Sequence, residues 1–198
     1  MQRKGKTLEL TLASMFIVLI AVGANITTIV PFLVVGGVPI TLQTFFAVLA
    51  GLVLGSRLGA ITTSTYAFIG LVGIPVFAQF GAGLGMVFKP TFGFILSFIL
   101  AAYAAGKIVE KRKSVASFIT ASLVATAINY LIGTNWMYFS YKIWAEAPEG
   151  FSYGVAWLWM LAPLPKDIIL AVFAGVMAHR LKVSVLSKGQ FKHLNLGA

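Results

Sequence analysis

Six long apolar runs, separated by short clusters of charge, glycine and proline, organise this chain. They cover residues 8–30, 40–55, 58–76, 90–109, 115–140 and 153–181. A helix needs roughly 20 apolar residues to cross about 30 Å of hydrocarbon, and the second run is short by that measure. Only Ser56 and Arg57 separate the second run from the third, which predicts a tight hairpin. The pattern predicts an all-α membrane protein, a six-transmembrane-helix bundle in one domain over residues 1–198.

Small residues recur along these runs at intervals of four. Gly51, Gly55 and Gly59 do so across the hairpin, as do Ala101 with Ala105 and Ala121 with Ala125. In lipid, where apolar contact has little solvent drive, such faces let helix backbones approach closely. They serve packing within the bundle or docking onto another membrane subunit. Between the third and fourth runs lies GIPVFAQFGAGLGMVFKPTFGF, residues 73–94, apolar yet broken by Pro75, Gly81, Gly83, Gly85 and Pro90. Irregular backbone at membrane depth survives only when buried in protein or lining a cavity. A lid or re-entrant loop on the extracytoplasmic side is therefore expected, with the glycines as hinges. It is not a nucleotide loop: GAGLG lacks the last glycine of a dinucleotide fingerprint, and no Gly-Lys-Ser/Thr follows.

Composition agrees with a membrane chain. Charged residues make up 10% of it and hydrophobic ones 59%, against about 25% charged in soluble domains. The first run is too long for a cleavable signal and lacks a clean small-residue cleavage site. The absence of cysteine excludes disulfides and thiolate chemistry. The net charge of +10 reads as orientation rather than nucleic-acid binding. Arg3, Lys4, Lys6, Arg57, Lys107, Lys111, Arg112, Lys113, Arg180, Lys182, Lys188 and Lys192 fall on one side of the spans. Lys89, Lys142 and Lys166 fall on the other. By the positive-inside rule both termini are cytoplasmic.

One carboxylate stands out. Glu9, Glu110, Glu146 and Glu149 lie near segment ends or in polar loops, but Asp167 sits in LAPLPKDIILAV, residues 161–172. If the last helix begins at Pro165, Asp167 stands about 20 Å above Arg180 and roughly 10 Å below the outer surface. A charge at that depth must face protein or water. It either complements the helix dipole and pairs with a lysine, or accepts hydrogen bonds from a ligand's N–H donors. Trp136, Tyr138, Tyr141, Trp144, Tyr153, Trp157 and Trp159 crowd the same end, as an interfacial belt or as pocket walls. Trp136 is the first choice as a wall.

These motifs together resemble the BioY family. VPITLQTFFAVLAGLVLGSRLGA (38–60), YAFIGLVGIPVF (66–77), the glycine loop, PTFGF (90–94) and PLPKD (163–167) carry the resemblance. It includes Gln43, Tyr66 and Phe77 and covers nearly the whole chain. The resemblance implies a biotin-binding substrate-specificity subunit of an energy-coupling factor transporter in a prokaryotic plasma membrane. Its implied partners are biotin, a transmembrane scaffold subunit and two cytoplasmic ATPases, with no cofactor or metal of its own. Ala13 and Ala21 match the small residues expected to dock the scaffold, although Ile17 stands between them. Asp167 matches the aspartate of an Asp-x-x-Lys motif, but Leu170 replaces the lysine.

The expected ligand contacts are Asp167 to a ureido N–H and Lys89 or Lys166 to the carbonyl or the valerate carboxylate. Lys166 points about 100° away from Asp167 around an ideal helix, so it need not reach the same pocket. Gln43, Gln79 and Asn129 are further polar candidates, and a buried Gln or Asn also serves as a helix–helix hydrogen bond. The loop from Phe77 to Phe88 is expected to close over the site. Two rivals follow: a subunit of the same type for another vitamin, and an intramembrane enzyme. The second has no support in motifs, since His179 and His193 lie at or beyond the last span's cytoplasmic end and no H-E-x-x-H or G-x-S-x-G occurs.

Overall fold

A computed structural model describes residues 2–29, 34–35, 38–39 and 41–186. Val30, Lys188, Lys192 and His193 lie outside them. The described residues form α1 (Gln2–Ile29), α2 (Gln43–Leu54), α3 (Ser56–Leu71), α4 (Phe92–Lys111), α5 (Val115–Ile143), α6 (Tyr153–Met160) and α7 (Leu164–Leu181). A two-residue antiparallel pair, β1 (Val34–Val35) with β2 (Val38–Pro39), lies between α1 and α2, where the sequence pattern gave no sign of it.

Two boundaries differ from the expected spans for proline's reasons. α3 ends at Leu71 rather than near 76, since Gly73 adopts φ 108° and Pro75 disfavours helix at the residue before it. The last run is two helices, α6 and α7, bent by 52°. Its break spans residues 161–163: Pro163 is the N-cap of α7 and Pro165 lies in its first turn, where a missing amide hydrogen is tolerated better than in a helix interior. By length and apolarity α1, α4 and α5 can each cross a membrane, and α6 with α7 makes a fourth candidate. The α2 helix has 12 residues, about 18 Å, so six full spans do not follow from helix length.

The short α2 is the axis of the bundle. It packs against α1, α3, α4, α5 and α7, and residues 47–54 are all buried, so its apolar residues run without a polar face. The small residues set how close its neighbours come. A Cβ on Gly51 would stand 2.6 Å from the Ala102 Cα of α4, and one on Gly59 would stand 2.7 Å from Gly51 itself. Ala101, Ala105, Ala121 and Ala125 are all buried in the same core.

Gly55, at φ 87°, is the single residue linking α2 to α3. With no side chain there to cap α3, the carboxylate of Glu110 on α4 does so: Oε1 accepts from the Ser56 amide and hydroxyl, each at 2.7 Å. An anion at a helix N-terminus satisfies free amides and meets the positive end of the dipole. Glu110→Ala is expected to lower stability by about 1–2 kcal/mol, the upper part of the range for lost caps. A fall in the thermal midpoint of the detergent-purified chain measures it, and an unchanged midpoint removes the cap from the fold's support.

Candidate ligand-binding site

The first turn of α7 presents Lys166 and Asp167. Asp167 is 8% exposed. One carboxylate oxygen pairs with the Lys166 ammonium at 2.7 Å, and the other accepts the Tyr130 hydroxyl of α5 at 2.7 Å. Lys166 thus reaches Asp167 despite its angular offset, because its four-carbon stem curls back along the helix. Its ammonium also donates to the Thr41 carbonyl at 2.7 Å, tying α7 to the chain just before α2. Each carboxylate oxygen has more than one lone-pair site, so Asp167 retains acceptor capacity toward a ligand.

Asp167 opens onto a cavity of about 140 Å³ between α2, α4, α5, α7 and the loop after α3. Of the expected contacts, Asp167, Lys166, Lys89, Gln79, Gln43, Asn129 and Phe77 all line it. Among the described residues Lys89 has no ion-pair partner. The cavity therefore pairs one carboxylate with one lysine and holds a second lysine in reserve. Phe94, Ile95, Phe98 and Met160 supply apolar wall.

Two polar candidates serve the frame first. Asn129 donates to Ser97 Oγ (2.6 Å) and the Phe94 carbonyl (3.1 Å) and accepts from Thr44 (3.2 Å), joining α5, α4 and α2 beneath the cavity. Gln43 donates to the Tyr66 hydroxyl at 2.7 Å, which in turn donates to the Val76 carbonyl at 2.9 Å. Tyr66 is fully buried behind Gln43 and does not line the cavity. Nor does Trp136, whose ring packs on Phe92 and Trp144. Ala13 is buried in the core, and Ala21 is partly buried against the second apolar cluster; the outward face of α1 carries Leu10, Met15, Val18 and Val22.

Residues 77–88 cross the top as two 3-10 turns, Ala78–Phe80 and Leu84–Phe88. Phe77 is fully buried beside Tyr66, so the loop is anchored where it starts. Gly81 has an ordinary φ of −62°. Positive φ falls on Gly83 and on two residues that are not glycine, Gln79 (58°) and Phe80 (54°). Such backbone in a non-glycine residue is uncommon, and here it belongs to the segment whose Gln79 lines the cavity.

Tyr130 was not among the expected contacts, although the sequence held a signal for it. A buried tyrosine hydroxyl requires a partner, and among the described residues Asp167 is the one buried carboxylate.

The sequence model of the BioY family matches residues 1–187. A Bacillus subtilis relative named BioYB is 46% identical over 186 residues, spanning 93% of this chain and 92% of its own. A Thermotoga maritima protein named biotin transporter BioY is 35% identical over 175 residues, covering 88% of this chain and 95% of that one. Among solved structures, a crystal structure of the S-component for biotin from an ECF-type ABC transporter superposes with a TM-score of 0.76. It covers 94% of this chain and 95% of that chain at 21% identity, and the likeness is one of fold.

Proposed function

The chain belongs to the BioY family, and from that premise we propose that it is the biotin-binding subunit of an energy-coupling factor uptake transporter. It captures biotin from the extracytoplasmic side and hands it on with a membrane scaffold subunit and two cytoplasmic ATPases. It is a transport protein, not an enzyme. The short α2 and α3 complete a six-span arrangement with both termini cytoplasmic, a reading that rests on the lysine and arginine distribution.

One observation carries the ligand: an acceptor-only carboxylate, Asp167, and an uncommitted lysine, Lys89, line the same apolar-walled cavity. Biotin presents ureido N–H donors at one end and a carboxylate at the other. Asp167 accepts a ureido N–H, Lys166 stands beside it for the ureido carbonyl, and Lys89 meets the valerate carboxylate. A cavity of about 140 Å³ is below the roughly 300 Å³ at which small-molecule sites begin. The segment from Phe77 to Phe88 therefore acts as a lid that shifts outward to admit the ligand.

Radiolabelled biotin bound to the detergent-purified chain, with unlabelled biotin, thiamine and riboflavin as competitors, tests the reading. Saturable binding displaced by biotin alone supports it. Displacement by another vitamin, or no biotin binding by folded protein, gives the site a different ligand, as Leu170 in place of the family lysine suggests. Tyr130→Phe removes one hydrogen bond to a charged acceptor while keeping the ring. It is expected to weaken biotin binding about three- to tenfold, about 0.7–1.4 kcal/mol; wild-type affinity in the variant means that Tyr130 does not set the carboxylate's position.

A further inference from the structure

Trp136 and Ser140 near the end of α5 and Trp144, the residue that caps it, recur at four-residue intervals, and so continue one stripe along that end of the helix. All three donate to two successive carbonyls at the end of the lid. The Trp144 indole N–H reaches the Phe88 carbonyl at 2.6 Å and the Ser140 hydroxyl reaches the same oxygen at 3.4 Å. The Trp136 indole N–H reaches the Lys89 carbonyl at 3.4 Å. The Trp144 ring also meets the Phe88 and Trp136 rings edge to face.

The two halves of the lid are held differently. In the first half, Phe77 is fully buried, the Phe80 amide donates to Asn25 on α1 at 2.7 Å, and the Gly83 amide donates to the Gly70 carbonyl at 2.7 Å. Beyond Gly83 only Met86 is buried, while Leu84 and Phe88 are 73% and 65% exposed. Met86 and Val87 of that second half seat against the second apolar cluster, and the side-chain hydrogen bonds that hold its end come from the α5 stripe. Between the halves Gly83 adopts φ 88°, and nothing stands within 4 Å of where its Cβ would be, so the backbone is free to turn there.

We infer that Trp144, with Ser140 and Trp136 beside it, is the latch of the site. The lid opens from the α5 side, residues 84–88 swing about Gly83, and residues 77–82 stay docked on α1 and α3. Because the latched carbonyls are those of Phe88 and Lys89, the latch also sets where Lys89 enters the cavity. Trp144 is a positioning residue and does not touch the ligand. The inference rests on the reading of residues 77–88 as a lid.

Trp144→Phe keeps an aromatic ring against Phe88 and deletes the N–H. In the purified ligand-free chain, hydrogen–deuterium exchange at the amides of 84–89 is expected to accelerate at least fivefold, with 77–83 and α4 unchanged and the thermal midpoint unmoved. Biotin association and dissociation are both expected to quicken at least threefold. Ser140→Ala, a milder lesion in the same stripe, shifts the same amides in the same direction and decides the matter should Trp144→Phe not be recovered. Unchanged exchange at 84–89, or acceleration confined to 77–82, overturns the inference. So does faster exchange with unchanged biotin rates, because the segment would then move without gating the site. The exchange measurement needs no ligand, so accelerated exchange in a chain that binds no biotin upholds the latch and rejects biotin as the ligand.

Discussion

Asp167→Asn is expected to weaken biotin binding at least tenfold while folded protein is still recovered from membranes. Tenfold corresponds to about 1.4 kcal/mol, and a hydrogen bond to a charged group contributes about 1.5–3 kcal/mol. The asparagine keeps the shape and still accepts the Tyr130 hydroxyl, but its amide nitrogen offers donors where Lys166 and the ureido group both need an acceptor. Losing one partner of a fully buried ion pair costs about 3–5 kcal/mol. Lys166 is 32% exposed and keeps the Thr41 carbonyl, so water and that bond reduce the structural part. Asp167→Asn combined with Lys166→Met separates the two roles. Because Lys166 also lines the cavity, the double variant is read against Lys166→Met alone: stability recovered with binding at least tenfold weaker than in Lys166→Met assigns the carboxylate to the ligand. Wild-type affinity in Asp167→Asn takes the residue out of the site, and a parallel loss of expression and binding makes it structural.

Gly51→Val is expected to abolish recovery of folded protein, or to lower the thermal midpoint by more than any other single change named here. A valine Cβ would stand 2.6 Å from the Ala102 Cα, and neither backbone can yield because Gly51 lies within the wholly buried stretch 47–54 of α2. Gly59 packs on Gly51 from the other side, so a displacement away from α4 drives α2 into α3. Overpacking costs about 1–3 kcal/mol where side chains can rearrange, and here the clash is between main chains, so roughly 3 kcal/mol or more is expected. Gly51→Ala is the graded control: a smaller loss along the same axis is consistent with close approach, and normal stability in both variants would mean that α2 and α4 stand farther apart in the membrane.

The helices were legible wherever the apolar pattern was long. The α4 and α5 helices lie close to the expected runs, and the four-residue spacing of Gly51 and Gly59 marked a true contact. The break between α6 and α7 was readable in Pro163 and Pro165, yet hydropathy averages across a bend and merged the two. Asp167 was legible because an isolated charge at membrane depth requires an explanation. The partners of Asp167 were harder to see. Lys166 is a candidate contact in the sequence, but its helical angle leaves open whether it reaches Asp167, since the angle says where a Cβ points and nothing about a flexible four-carbon stem. Trp136 has the aromatic character of a wall, but its orientation depends on Phe92 across the helix interface as well as on Trp144 further along its own chain, and no spacing along one helix encodes the first.

The polar cross-link of Thr44, Asn129 and Ser97 beneath the cavity has a consequence for permeation. Above it lies a vestibule lined by lysines and amides; below it, Gly51 against Ala102 and Gly106 against Ser56 close the helices backbone to backbone. Among the described residues the cavity is thus bounded on that side by two backbone-to-backbone contacts. The expected result is that liposomes carrying the chain alone hold a proton gradient as long as empty ones do, with biotin bound or absent. On the proposed function, capture and passage are then separate physical events, and the solute leaves on the far side when the closed half of the bundle is moved by something else.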